Sequence, residues 1–221
     1  IASETALHRF DLETGKTEDL VPLEAHDPRT RSNDGRADPW GGFWIGTMAK
    51  TADAGIGALY RYYKGELRTL YTGVIIPNAT CFSADATHLY FADTATRKVT
   101  RTRLDKNGWP QDFATVFVDL GSEYLNPDGA VFDAAGNLWL AEWGAARVSC
   151  YAPDGTRLRT VAFPAQHTSC PAFGGEDLTT LFCTSALQGV SAKDRTAFPL
   201  SGQTFTAEGI AKGLPEHRVI L

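Results

Sequence analysis

The chain has 221 residues, 43% of them apolar and 21% charged, and a formal net charge of −5. That is the make-up of a globular domain with a sizeable core, which excludes a disordered or fibrous chain. The mild acidity and the lack of a basic run argue against nucleic acid and anionic membrane as partners, and no apolar stretch reaches the roughly 18 residues of a spanning helix.

The 21 Gly, 11 Pro, 5 Trp, 7 Tyr and 12 Phe, with weak helical periodicity, point to an all-β chain of short strands. In chain order, a strand around Leu7-His8-Arg9-Phe10 turns at Thr14-Gly15. Segment 33–47 runs from Asn33-Asp34-Gly35 to an aromatic strand centred on Trp44. A pair of alternating strands then turns at Lys64-Gly65. The same sequence of events recurs three times. Segment 78–93 centres on Tyr90 and is followed by a turn at Asn107-Gly108. Segment 128–142 centres on Trp139 and is followed by Asp154-Gly155. Segment 169–185 centres on Phe182. Gly turns of this kind tolerate positive φ and favour hairpins.

The aromatic anchors stand 46, 49 and 43 residues apart. Four short strands per unit of that length is the signature of a β-propeller blade, since one such sheet cannot cover its own apolar faces and must stack on the next. Aligned on the anchors, Asn33, Asn78, Asp128 and Ser169 share one slot, 11 to 13 residues before the aromatic residue. The drift follows the longer tips at 83–88 and 174–180. Equivalent slots in a propeller point to the same end of the central channel, so four short polar side chains are expected to converge there. Carboxylate and amide oxygens gathered in this way suit a hard divalent cation.

Around that slot the sequence resembles the regucalcin/gluconolactonase family of six-bladed propellers, in its bacterial sugar-lactone branch. The carrying motifs are Arg31-Ser32-Asn33-Asp34-Gly35 with Phe43-Trp44-Ile45-Gly46-Thr47-Met48, Ile76-Pro77-Asn78, Asn126-Pro127-Asp128-Gly129 with Leu138-Trp139, and Thr168-Ser169-Cys170. The resemblance implies a metal-dependent hydrolase that opens a gluconolactone- or pentonolactone-type sugar lactone to the aldonic acid. It implies one divalent cation, calcium first, with zinc, manganese, magnesium or iron as alternatives. Asn78 and Asp128 match the family's ligands, and Arg31 and Asn33 match its substrate contacts. Asp128 is the candidate catalytic base as well as a ligand. The family's substrate-contacting Glu before the Leu59-Tyr60 strand has no match in segment 52–57. Two other readings fit the same architecture: a non-catalytic calcium-binding or scaffold propeller, and a phosphotriesterase-like hydrolase.

Six blades at that spacing need about 276 residues. The chain therefore reads as a single propeller domain, 1–221, of about 4.8 blades. The absence of Met at residue 1, and the match of Ile1-Ala2-Ser3 to Ile45-Gly46-Thr47, predict upstream residues carrying the first blade and half of the second, where the resemblance implies a third metal ligand, a Glu. Cys81, Cys150, Cys170 and Cys183 form no metal-ligand spacing and read as buried thiols of a cytoplasmic protein. No obligate protein partner is evident. His167 reads as a surface-loop residue, Glu142 as solvent-facing, Trp143 as core, and Arg97 and Arg147 as solvated or ion-paired. Glu123 and Asn126 are candidates for the pocket rim.

Overall fold

A computed structural model describes residues 1–53 and 55–221. Ala54, inside the 52–57 segment, lies outside the described residues. Among them the chain forms 17 strands and one short helix, as the composition predicts, and divides into two compact units, residues 1–77 with 217–221, and residues 78–216.

In the first unit, β1 (Ala6–Phe10) and β2 (Thr17–Pro22) form a hairpin. β3 (Thr30–Ala37), β4 (Phe43–Ala49), β5 (Gly57–Tyr63) and β6 (Glu66–Val74) form an antiparallel meander. The β5–β6 turn is Lys64-Gly65, with φ of 53° and 80°. A two-residue hairpin turn that follows strand twist needs positive φ at both positions. Leu7, Leu23, Ile45 and Tyr62 make the buried cluster, with Val219 packed against it.

In the second unit, β7 (Pro77–Phe82), whose first residue ends the first unit, pairs in turn with β8 (His88–Asp93), β9 (Lys98–Arg103) and β10 (Thr115–Asp119). β11 (Asn126–Phe132), β12 (Leu138–Trp143), β13 (Arg147–Tyr151) and β14 (Arg157–Ala162) form the next sheet. β15 (His167–Gly174), β16 (Thr180–Ala186) and β17 (Thr204–Glu208) form a three-stranded one, with α1 (Ala192–Ala197) between β16 and β17.

β12 shows why these sheets stack. Leu138 and Leu140 join Tyr90, Val99 and Val118 in one buried cluster. Trp139 and Ala141 join Phe173, Leu181 and Cys183 in another. Successive strand residues face opposite ways, so a continuous apolar run buries both faces. Each large apolar side chain so buried contributes about 1.5–3 kcal/mol. Trp139 meets Phe173 edge-on at 5.9 Å.

The repeat extends to single hydrogen bonds. Asp38 accepts from the Trp44 indole at 2.8 Å, and Asp133 from the Trp139 indole at 2.9 Å. Their other carboxylate oxygens accept backbone N–H groups of the tip, from Trp40 and Gly42 in one unit and from Ala135 and Asn137 in the other. Asp38 also pairs with Arg61, both side chains fully buried.

Candidate functional site

The first strands of three sheets carry the same irregularity. In β3 against β4 the register breaks between Ser32 and Gly35. In β11 against β12 it breaks between Pro127 and Ala130, and in β15 against β16 between Thr168 and Pro171. Each break leaves two residues facing one: Asn33-Asp34, Asp128-Gly129 and Ser169-Cys170. A bulge of this kind bends the strand and re-aims its side chains. The shared slot read from sequence is thus, for Asn33, Asp128 and Ser169, the first residue of one repeated bulge. Close backbone contact maintains it. A Cβ on Gly129 would lie 2.8 Å from Cys170 Sγ and from the Ser169 carbonyl oxygen. One on Gly46 would lie 2.4 Å from Pro77.

In the first unit, Arg31 Nη1 donates to Asn33 Oδ1 at 2.8 Å and to the Ser32 carbonyl at 2.9 Å. Asn33 Nδ2 donates to the Pro77 carbonyl at 2.8 Å. Both ends of this amide therefore have protein partners, and the guanidinium is braced in one orientation.

In the second unit, Asn78 is buried, 6% exposed, and its Nδ2 donates to Thr94 Oγ1 at 2.8 Å. Thr94 in turn donates to the Pro127 carbonyl at 2.6 Å. One hydroxyl thus joins Asn78 to the residue preceding Asp128, a half-buried carboxylate. Ser169 Oγ lies 2.8 Å from Thr184 Oγ1. Burial, then the nearby Cys170 and Asp128, push the Cys183 thiol up to about 12. Cys81, Cys150 and Cys183 are buried as expected, whereas Cys170 is only partly so.

Three expectations change here. Glu142 is fully buried, not solvent-facing. It accepts from the Tyr151 hydroxyl at 2.7 Å and from Arg147. Burial and the Glu142 carboxylate push the Tyr151 hydroxyl well above the usual phenol range. His167 is a buried strand residue, 8% exposed. Its ring stacks on Trp143 at 4.3 Å, and Nδ1 lies 2.8 Å from the Gln188 carbonyl. Arg97, stacked over Tyr124 at 5.3 Å, also reaches Asn126 Oδ1 at 3.3 Å. Tyr124 is 76% exposed and lies four residues before Asp128. Sequence reading missed Thr94, because a threonine after a strand carries no repeat signal, and Tyr124, because it sits outside the aromatic period.

Among the described residues no three His, Cys, Asp or Glu side chains gather as a metal cluster. The Asn78 amide, a residue type outside that set, and the Asp128 carboxylate are both oxygen donors. They fit a hard divalent cation, which takes oxygen ligands and completes its shell with water. Among the described residues no helix is long and apolar enough to cross a membrane.

The family model described as the SMP-30/Gluconolactonase/LRE-like region matches residues 1–187. The solved structure of an Agrobacterium tumefaciens calcium-binding protein, regucalcin, superposes with a TM-score of 0.97 at 39% identity, over 100% of this chain and 75% of that one. The 6-deoxy-6-sulfogluconolactonase of Pseudomonas putida is 33% identical over 217 residues, 98% of this chain and 75% of its own. The L-arabinolactonase of Azospirillum brasilense is 34% identical over 221 residues, 97% of this chain and 71% of its own. The stacked antiparallel sheets are blades of a β-propeller, and the chain belongs to the SMP-30/gluconolactonase/LRE-like family.

Proposed function

We propose that the chain is a hydrolase that opens a sugar lactone with the help of one divalent cation. The observation that carries the reading is the link from Asn78 through Thr94 to Pro127, the residue before Asp128: one hydroxyl joins the Asn78 amide to the strand that carries Asp128. Relatives named as lactonases support the reaction class, and the Agrobacterium relative described as calcium-binding supports a cation.

Asn78 and Asp128 would hold that cation, and the chemistry it supplies when bound is Lewis acidity toward the lactone carbonyl and toward water. Both donors are oxygen atoms, one from an amide and one from a carboxylate. The set therefore favours calcium, magnesium or manganese over zinc. Asp128 takes the proton from the attacking water, a role that contributes about 10²–10⁴-fold. Arg31, braced through Asn33, presents its fork to ring or hydroxyl oxygens of the sugar. Asn33 holds that fork in place.

The test is hydrolysis of gluconolactone and arabinonolactone, with and without chelator, alongside an organophosphate ester. Asp128→Ala should lower lactone kcat/KM by at least about 10²-fold. A variant that keeps most of the activity would overturn the role of Asp128. Hydrolysis of the phosphate ester alone would favour the phosphotriesterase reading. Cation binding without any hydrolysis would favour a calcium-binding propeller.

A further inference from the structure

Thr94 opens a short 3-10 turn, Thr94–Thr96, capped by the Asp93 carboxylate on the Ala95 N–H and closed by Arg97 in the left-handed region. Its hydroxyl touches two groups, of which one has fixed polarity. The Pro127 carbonyl can only accept, so the single hydroxyl proton points to it at 2.6 Å. Toward Asn78, at 2.8 Å, the hydroxyl oxygen is then an acceptor. Only the nitrogen end of an amide can donate to it. The Asn78 side chain is thereby turned with Nδ2 on Thr94 and Oδ1 away from it. That orientation is what a hard cation needs, since an amide binds metal through oxygen.

The first unit contains the simpler form of the device. There the slot amide of Asn33 reaches a proline carbonyl, that of Pro77, directly at 2.8 Å. In the second unit the slot amide of Asn78 and the Pro127 carbonyl are joined by an inserted hydroxyl instead. Polarised chains of hydrogen bonds strengthen one another where water is excluded.

We propose that Thr94 is a positioning residue for the cation site: its hydroxyl fixes the amide of Asn78 with Oδ1 turned away from Thr94 and ties that ligand to the strand carrying Asp128. This rests on the reading that Asn78 and Asp128 hold the cation. Partners of this kind orient metal ligands, and their loss typically lowers metal affinity by about 10–100-fold.

The test uses Ca²⁺ and Mn²⁺ alone, titrated into the protein by calorimetry without lactone. Thr94→Val keeps the side-chain shape and removes both hydrogen bonds. Its dissociation constants should rise by about 10–100-fold, while Thr94→Ser, which keeps the hydroxyl, stays within about threefold of the parent. A merely structural role would lower the thermal midpoint and leave the affinity of the folded protein unmoved. If Thr94→Val does not fold, Thr94→Cys, close in size and a weak hydrogen bonder, replaces it under the same thresholds. A folded variant without the hydroxyl that binds within about twofold of the parent overturns the proposal, as does a Ser variant as weak as Val. Asn78→Ala separates the two readings. If it loses affinity and Thr94→Val does not, only the role of Thr94 falls. If neither loses affinity, the cation site is misplaced and both readings fall.

Discussion

Asp133 shows how much one carboxylate can hold. It is 2% exposed and accepts four hydrogen bonds, from the Trp139 indole, two tip N–H groups and the Asn137 amide. Removing it leaves the buried Trp139 indole without an acceptor, which costs about 1–3 kcal/mol, and strips three part-buried tip donors of theirs. Asp133→Ala should therefore lose about 2–4 kcal/mol of stability, read as a lower urea midpoint with an unchanged slope. The spacing of the aromatic anchors was legible in the sequence, and so was the burial of Trp44 and Trp139. The carboxylates that serve them were not, because six residues of separation carry no period of strand or helix. Glu142 was misread for a related reason. Its neighbours in sequence put it at the end of an apolar strand, whereas its burial comes from Tyr151 and Arg147, brought to it by the pairing of β12 with β13.

At the scale of the element, the repeated bulge explains both the success and the limits of the slot alignment. Asn33 and Asp128 stand at equal distances from their anchors, and both prove to be the first residue of the register break. Ser169 drifts only because its tip is longer. A bulge needs room for two backbones to meet, and Gly129 supplies it beside Ser169 and Cys170. Gly129→Ala forces that contact apart. The expected loss is about 1–3 kcal/mol of stability, together with reduced lactone kcat/KM, because the adjacent Asp128 moves with the strand. A variant with normal kinetics and a normal thermal midpoint would show that the bulge tolerates a side chain. Thr94 stayed invisible at this scale, since its two partners lie 16 and 33 residues away.

At the scale of the whole molecule, the turns share one electrostatic habit. Asp11, Asp154 and Asp177 accept hydrogen bonds from the N–H or hydroxyl groups of the residues that follow, and their carboxyls are held below the usual 3.8. Asp85 is lowered chiefly by the Ser83 and Thr87 hydroxyls, and Asp27 by its hydrogen bonds from Arg29. A carboxyl whose folded pKa lies below its unfolded value stabilises the fold above the unfolded pKa. That stability is lost as pH falls through the folded value. The thermal midpoint should thus hold from neutrality down to about pH 5 and fall progressively below about pH 4. A midpoint that stays level to about pH 2 would show that these turns add nothing.

Every sheet here pairs only strands that follow one another in the chain. Most closures span a short loop, the connection through α1 between β16 and β17 being a long one, and lengthening such a loop costs little, about 0.6 kcal/mol per doubling. A tip can therefore grow without any strand changing its partner, as the 174–180 tip has grown beside the 133–137 one. For a lineage of proteins this leaves the bulged first strands in place while the loops between strands are rewritten.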